Sequence, residues 1–460
     1  MNEEHNNNYS SLENYHQFTL SDFLNHSFSC SCNRIHRAPI HTIIIEEEAI
    51  MKLPQVIIST GCQKPFLLYD LTTYTLVGSK AEEILNHCGI PFSFHTLSEE
   101  EPIPNEETIG TILIHMDPSC DLIIAVGSGT INDLSRFISY QLKLPYLILA
   151  TAPSMDGYAS GVSPLIVNHM KTTYEAHAPY AILGDLSLLK EAPDRMIAAG
   201  IGDLLGKYNA LCDWSIAHIL LGEYHCNTLE GIVRRSLELV LQNIDGVRSR
   251  TSDAIRGVME ALVLSGIAMS FAGNSRPASG SEHHLSHYWE MCFLSEGRKP
   301  HLHGAQVGVA TVAMLRAYEL LRELPIDFTA AKEKVNSYSA LKWESDMEHY
   351  YGPAAPSVIR LEKETGKNAP EQVLARLELI EAHWEELKAY MDLLPSADGL
   401  RNILISLSAP ASPMEIGIDR TTFIESFLAA KELRNRYALL QLLFDLGLLT
   451  EFAIKLWDYF

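Results

Sequence analysis

In residues 121–137, DLIIAVGSGTINDLSRF, an unbroken apolar run stops at Gly127-Ser128-Gly129-Thr130 and a helical pattern begins. A run with no polar alternation reads as a strand buried on both faces, as in a parallel sheet. Glycines let the backbone approach a ligand closely, and amides at a helix start can hold a pyrophosphate. Asn132 or Asp133 is placed to fix that helix start. A plain strand-to-helix turn accounts for the four residues equally well. They do not form G-x-G-x-x-G, and no acid stands ~20 positions downstream, as the dinucleotide fingerprint requires.

The same texture recurs on both sides. QVIIST (55–60), PFLLYD (65–70), TILIHM (111–116), PYLILAT (145–151) and YAILGD (180–185) read as further buried strands, with helical stretches such as KAEEILNHCG (80–89) between them. Strands alternating with helices predict an α/β domain over residues 49–190, with ligands at the carboxyl ends of the strands. From about 191 to 460 apolar residues recur at three- and four-residue spacing, which predicts a helical domain. The fold class is therefore α/β plus all-α, with a cleft between the domains. Residues 1–48 read as a polar extension whose first fifteen or so residues are poorly ordered.

Composition bounds the function. The 460 residues are 47% hydrophobic and 20% charged, and the formal net charge is −22. An acidic chain argues against a nucleic-acid surface. No apolar run is expected to reach the ~18–20 residues that span a bilayer. The polar start lacks the basic and apolar regions of a secretory signal. The eight cysteines are mostly scattered, which suits reduced thiols. Together these predict a cytoplasmic protein.

Several residues are candidates for chemistry. Asp70 ends the strand FLLYD; its carboxylate can accept hydrogen bonds from an adenosine ribose, or can serve only as a turn residue. The loop ATAPSMDGYASG supplies Thr151, Ser154 and Ser160 hydroxyls and the Asp156 carboxylate. Asp203 and Lys207 are four apart and share a face if one helix carries both. In SGSEHHLSHYWEM (279–291), His283 and His287 are four apart and face one way, while His284 points about 100° away. His301 and His303 precede another helical run. One acid and two separated histidine clusters can build an open three-ligand metal site, although histidines on exposed faces and helix ends are commoner.

GSGTINDLSRF, TAPSMDGYAS, KTTYEAHAP, AAGIGDLLGK, SRPASGSEHHLSH and LHGAQVG occur in this order. Together with SPMEIGI and RNRYALL they make residues 50–440 resemble the sn-glycerol-1-phosphate dehydrogenase family, in particular its bacterial branch. That family lies within the superfamily of iron-dependent alcohol dehydrogenases, glycerol dehydrogenases and dehydroquinate synthases. The resemblance implies reduction of dihydroxyacetone phosphate to glycerol 1-phosphate by NADH or NADPH. It also implies one divalent metal, nickel or zinc, and a homodimer. Its metal ligands correspond to Asp203, His283 and His303, and its substrate contacts to Asp156, Asp203 and His287. Its dinucleotide contacts correspond to Asp70, Gly129, Thr130, Ile131, Asn132, Asp133, Thr151, Ala152, Pro153, Ser154 and Ser160, with Asp70 favouring NADH.

Iron-dependent members carry a histidine four residues after the acid; here that position is Lys207, which suits a phosphate. Lys171 and Arg276 are further phosphate candidates. A glycerol or other polyol dehydrogenase on the same fold is the nearest alternative, and a dehydroquinate synthase a more distant one. A metabolite or metal sensor is an alternative of a different class, because NHSFSCSCNRIH (25–36) spaces His26, Cys30, Cys32 and His36 as four potential zinc ligands.

Overall fold

A computed structural model describes residues 19–24, 27–37, 40–99, 102–167 and 170–460. The described residues form two compact units, one within 19–204 with 226–277 and the other 205–225 with 278–460.

The first unit holds a six-stranded, all-parallel sheet. Its order is Thr42–Glu46, Ala181–Asp185, Tyr146–Ala150, Leu122–Gly127, Pro65–Asp70, Ser93–Leu97. The four inner strands are buried at every position, as their continuous apolar sequences require. Leu67, Tyr69, Leu122, Ile124, Val126, Leu147 and Leu149 share a core with Leu53, Val56, Ile57, Ala81 and Leu85. Chain order reverses between Pro65–Asp70 and Leu122–Gly127, and such a switch point is where open α/β sheets bind ligands. Asp70 and Gly127 are the terminal residues of those two strands.

Two expected strands are helices. QVIIST lies in Leu53–Thr60, which begins with Pro54 in its first turn and ends at Gly61 in the left-handed conformation (φ 78°). TILIHM lies mostly in Glu106–His115, where the Asn105 side chain caps the Thr108 amide and Glu106 and Glu107 occupy the first turn. Caps outside the apolar run decide the matter, because a short apolar run alone fits either structure. Conversely, TIIIE within the polar extension is an edge strand, paired from Thr42–Ala181 to Glu46–Asp185.

Against expectation, one helix among the described residues, Ser252–Ala272, is long and apolar enough to cross a membrane. Within the protein, 83% of its most apolar window is buried, as in a core helix. The second unit is helical, built on Lys207–Leu221, Ser281–Ser295, His303–Glu323 and Pro370–Met391 among others.

Candidate active site

In the first unit the helix Gly129–Leu142 starts at the switch point, so its free amides and positive dipole end lie beside the Leu122–Gly127 strand. A Cβ on Gly127 would come within 2.7 Å of Ile131 Cβ, so the turn admits only glycine without rearrangement. Neither Asn132 nor Asp133 secures the helix start. The Asn132 amide nitrogen reaches Gly157 O at 3.5 Å, and Asp133 pairs at 2.8 Å with the buried Arg136. Arg136 also donates to Tyr146 Oη at 2.9 Å and Val162 O at 2.9 Å, tying helix, strand and hairpin together. The Asp70 carboxylate accepts the Thr73 amide at 2.7 Å, so it does serve the turn.

The loop carrying Thr151, Ala152, Pro153, Ser154 and Asp156 follows the neighbouring strand, and Thr151 N donates to Gly127 O at 3.0 Å. Two glycines let helices approach this loop closely. A Cβ on Gly200 would stand 2.0 Å from Pro153 O, and one on Gly266 2.9 Å from Asp156 O. The loop delivers Asp156 to Asp203: the Asp156 amide donates to Asp203 Oδ2 at 3.1 Å, and Ser265 Oγ donates to Asp156 Oδ2 at 3.0 Å. Asp203, on the last turn of Asp194–Leu205, is fully buried. Ser160 is buried too and bonds the Val162 amide at 3.2 Å. Lys171 stands in the strand Met170–Glu175.

In the second unit, the helix Ser281–Ser295 buries Leu285, Trp289 and Phe293 on one face. Its first turn is anchored by Asp213, whose Oδ2 accepts the Ser281 amide at 2.7 Å and the Ser281 hydroxyl at 2.8 Å. Tyr318 Oη and the Leu439 amide donate to Asp213 Oδ1 at 2.5 and 2.7 Å. His283 and His287 share the other face, as helical spacing predicts. His303 opens the helix His303–Glu323. Ring centroids lie 5.2 Å apart for His283–His303, 5.5 Å for His287–His303 and 5.9 Å for His283–His287. His301 takes a separate place, its ring 6.0 Å from Phe293. His284 is more deeply buried than the cluster, at 1% exposure, while His287 and His303 are partly exposed.

Lys207, fully buried, opens the helix Lys207–Leu221 of the second unit. Arg276 is buried within the first unit.

Three residues join the expected set. Glu282 Oε1 lies 2.7 Å from His283 Nδ1 and also accepts the Gly280 amide at 2.8 Å. Arg434 Nη2 lies 3.4 Å from His287 Nδ1, and burial lowers the pKa of this guanidinium. Ser265 holds Asp156. Glu282 was legible: it adjoins His283, and a ligand imidazole needs an acceptor on its other nitrogen. Arg434 stands in the quoted RNRYALL without a role attached, and nothing local marks Ser265.

A model of the family described as iron-containing alcohol dehydrogenase matches residues 44–193, the sheet-bearing part of the first unit. The chain belongs to the glycerol-1-phosphate dehydrogenase family: the Geobacillus stearothermophilus glycerol-1-phosphate dehydrogenase [NAD(P)+] is 32% identical over 93% of this chain and 98% of its own. The Pyrococcus horikoshii protein of the same name is 34% identical over 59% of this chain and 77% of its own. Among solved structures, glycerol dehydrogenase from Schizosaccharomyces pombe has the same fold, with a TM-score of 0.59 at 14% identity over 91% of each chain. A probable glycerol dehydrogenase from Sinorhizobium meliloti matches with a TM-score of 0.60 at 14% identity, over 91% of this chain and 97% of its own.

Proposed function

We propose that this protein interconverts dihydroxyacetone phosphate and sn-glycerol 1-phosphate, using NAD(P)H and one divalent metal ion. One observation carries the reading: the imidazoles of His283, His287 and His303 meet, with the Glu282 carboxylate on His283 Nδ1. The substrate follows the relatives, which are glycerol-1-phosphate dehydrogenases.

Asp203, His283 and His303 are the metal ligands in this reading. One carboxylate and two imidazoles suit zinc or nickel and leave a coordination position for substrate. The bond from His283 Nδ1 to Glu282 makes Nε2 the ligand atom, the usual arrangement of a metal-binding histidine. Bound there, the ion supplies Lewis acidity at the ketone oxygen, and a bound dinucleotide supplies the hydride. His287 moves the proton at the substrate oxygen. Asp156, held by Ser265, orients a substrate hydroxyl. Arg434 and Lys207 hold the phosphate, with Arg276 as a further donor. Of these, Arg434 reaches the histidine cluster, its Nη2 3.4 Å from His287 Nδ1, and a guanidinium can give a phosphate two parallel hydrogen bonds.

The dinucleotide pyrophosphate is held by the start of Gly129–Leu142, through Gly129, Thr130, Ile131, Asn132 and Asp133. Thr151, Ala152, Pro153, Ser154 and Ser160 flank it, and Asp70 meets the ribose, favouring NADH over NADPH. None of the eight cysteines is in a disulfide, which suits the reducing cytoplasm. A homodimer, to be checked by sedimentation, completes the reading.

The test uses purified protein stripped with chelator and reloaded with Ni²⁺ or Zn²⁺. NADH oxidation should appear with dihydroxyacetone phosphate, be much weaker with free dihydroxyacetone, and give the 1-phosphate enantiomer. A product that is sn-glycerol 3-phosphate, or inactivity with every metal, would sink the reading. A preference for free dihydroxyacetone would make the enzyme a polyol dehydrogenase instead.

A further inference from the structure

Residues 27–37 fold into a small antiparallel hairpin, Ser27–Ser29 paired with Ile35–Arg37. Its turn is tight: Cys30 N donates to Arg34 O, Asn33 N donates to Cys30 O, each at 3.0 Å, and Asn33 adopts a left-handed φ of 63°. The turn therefore places Cys30 and Cys32 together, and His36 follows on the second strand. Phe28 packs against His36 and edge-on to Phe271, with centroids 5.3 and 5.7 Å away, which fixes the hairpin on the Ser252–Ala272 helix. Cys226, the residue before the helix Asn227–Gln242, completes the group. All four residues belong to the first unit, and none has a part in the active site proposed above.

The geometry points to a second metal site, in which Cys30, Cys32, His36 and Cys226 bind one Zn²⁺ as a closed structural centre. One donor atom from each lies within 4.8 Å of all the others. Three of the separations are 3.5 Å for Cys30 Sγ–Cys226 Sγ, 3.3 Å for Cys32 Sγ–His36 Nε2 and 3.6 Å for Cys226 Sγ–His36 Nε2. Zn–S bonds of about 2.3 Å and Zn–N bonds of about 2.0–2.1 Å span tetrahedral edges of roughly 3.5–3.8 Å. A disulfide would need the two sulfurs at about 2.05 Å and would leave the imidazole without a purpose. The outer contacts are those of a metal site: His36 Nδ1 meets Phe271 O at 3.3 Å, which turns Nε2 inward, and the Thr228 hydroxyl lies 3.3 Å from Cys30 Sγ. Three thiolates and an imidazole select zinc and leave no position for substrate, so the ion staples the hairpin to the body of the unit. His26 lies outside the described residues; Cys226 stands in the fourth place.

Cobalt substitution of the full-length protein tests this, because the active-site ligands include no sulfur. Co²⁺-loaded protein should show intense thiolate-to-cobalt charge-transfer absorption in the near ultraviolet, and zinc-loaded protein should hold two ions per chain. Cys226→Ser and Cys32→Ser should each remove that absorption and one equivalent of metal, while Cys62→Ser keeps both. Reduction of dihydroxyacetone phosphate, where present, should survive in all three. Co²⁺-loaded wild type without the charge-transfer band overturns the proposal. So does a Cys30–Cys226 disulfide found by mass spectrometry in protein prepared without chelator.

Discussion

Glu282 Oε1 and His283 Nδ1 are 2.7 Å apart, adjacent residues in the first turn of one helix. Adjacent side chains on a helix diverge by about 100°, and these two meet at the helix start. There Gly280, at φ −116° and ψ −147°, gives its amide to the same carboxylate oxygen. The pair fixes the imidazole tautomer. Glu282→Gln should therefore weaken metal binding on the order of 10–100-fold while leaving the helix formed. Metal titration of the stripped variant, with circular dichroism as control, measures this; unchanged affinity would remove Glu282 from the site.

His284→Ala should leave metal content intact, because helix geometry turns this side chain off the His283–His287 face. Its burial at 1% exposure adds a cost that spacing alone did not announce. The variant should lose roughly 1–3 kcal/mol of stability, read from the denaturant midpoint. Loss of metal at full stability would contradict the assignment.

Arg434→Gln should raise KM for dihydroxyacetone phosphate at least tenfold and change KM for free dihydroxyacetone little. Equal effects on both substrates would mean that Arg434 orients His287 and does not hold phosphate.

Gly200→Ala should damage the protein far more than its single carbon suggests. The new Cβ would sit 2.0 Å from Pro153 O, a backbone atom that cannot swing away. Displacing the 151–156 loop should cost about 1–3 kcal/mol and weaken dinucleotide binding. Fluorescence titration with NADH and thermal melting read the two effects; a neutral variant would mean the loop gives way freely.

Burial lowers the pKa of His177 below 6.5, the nearby Arg136 charge lowers it further, and its Nε2 meets Ser139 Oγ at 2.7 Å. The folded state binds fewer protons there than the unfolded chain, so this contribution is complete above pH 6.5 and declines as pH falls through the folded value. His177→Gln should narrow the stability gap to wild type as pH drops below 6.5. Urea melts at several pH values check the sign; a gap that widens in acid would refute it.

Buried parallel strands and the split between His283 and His284 were legible in the chain, because both follow from local spacing. Apolar runs flanked by turns fit strands with two covered faces, and a four-residue interval puts two side chains on one helical face. QVIIST and TILIHM were misjudged for the same reason: a six-residue apolar run carries no period of its own, and caps outside it chose the helix. Contacts across the chain were not legible. Cys226 meets His36 across 190 positions, Arg434 meets His287 across 147, and Ser265 meets Asp156 across 109. Local sequence sets which way a side chain faces on its own element. What it then meets is decided by how elements pack, and here glycines at 200 and 266 allow helices to close on the loop where Asp156 and Asp203 join.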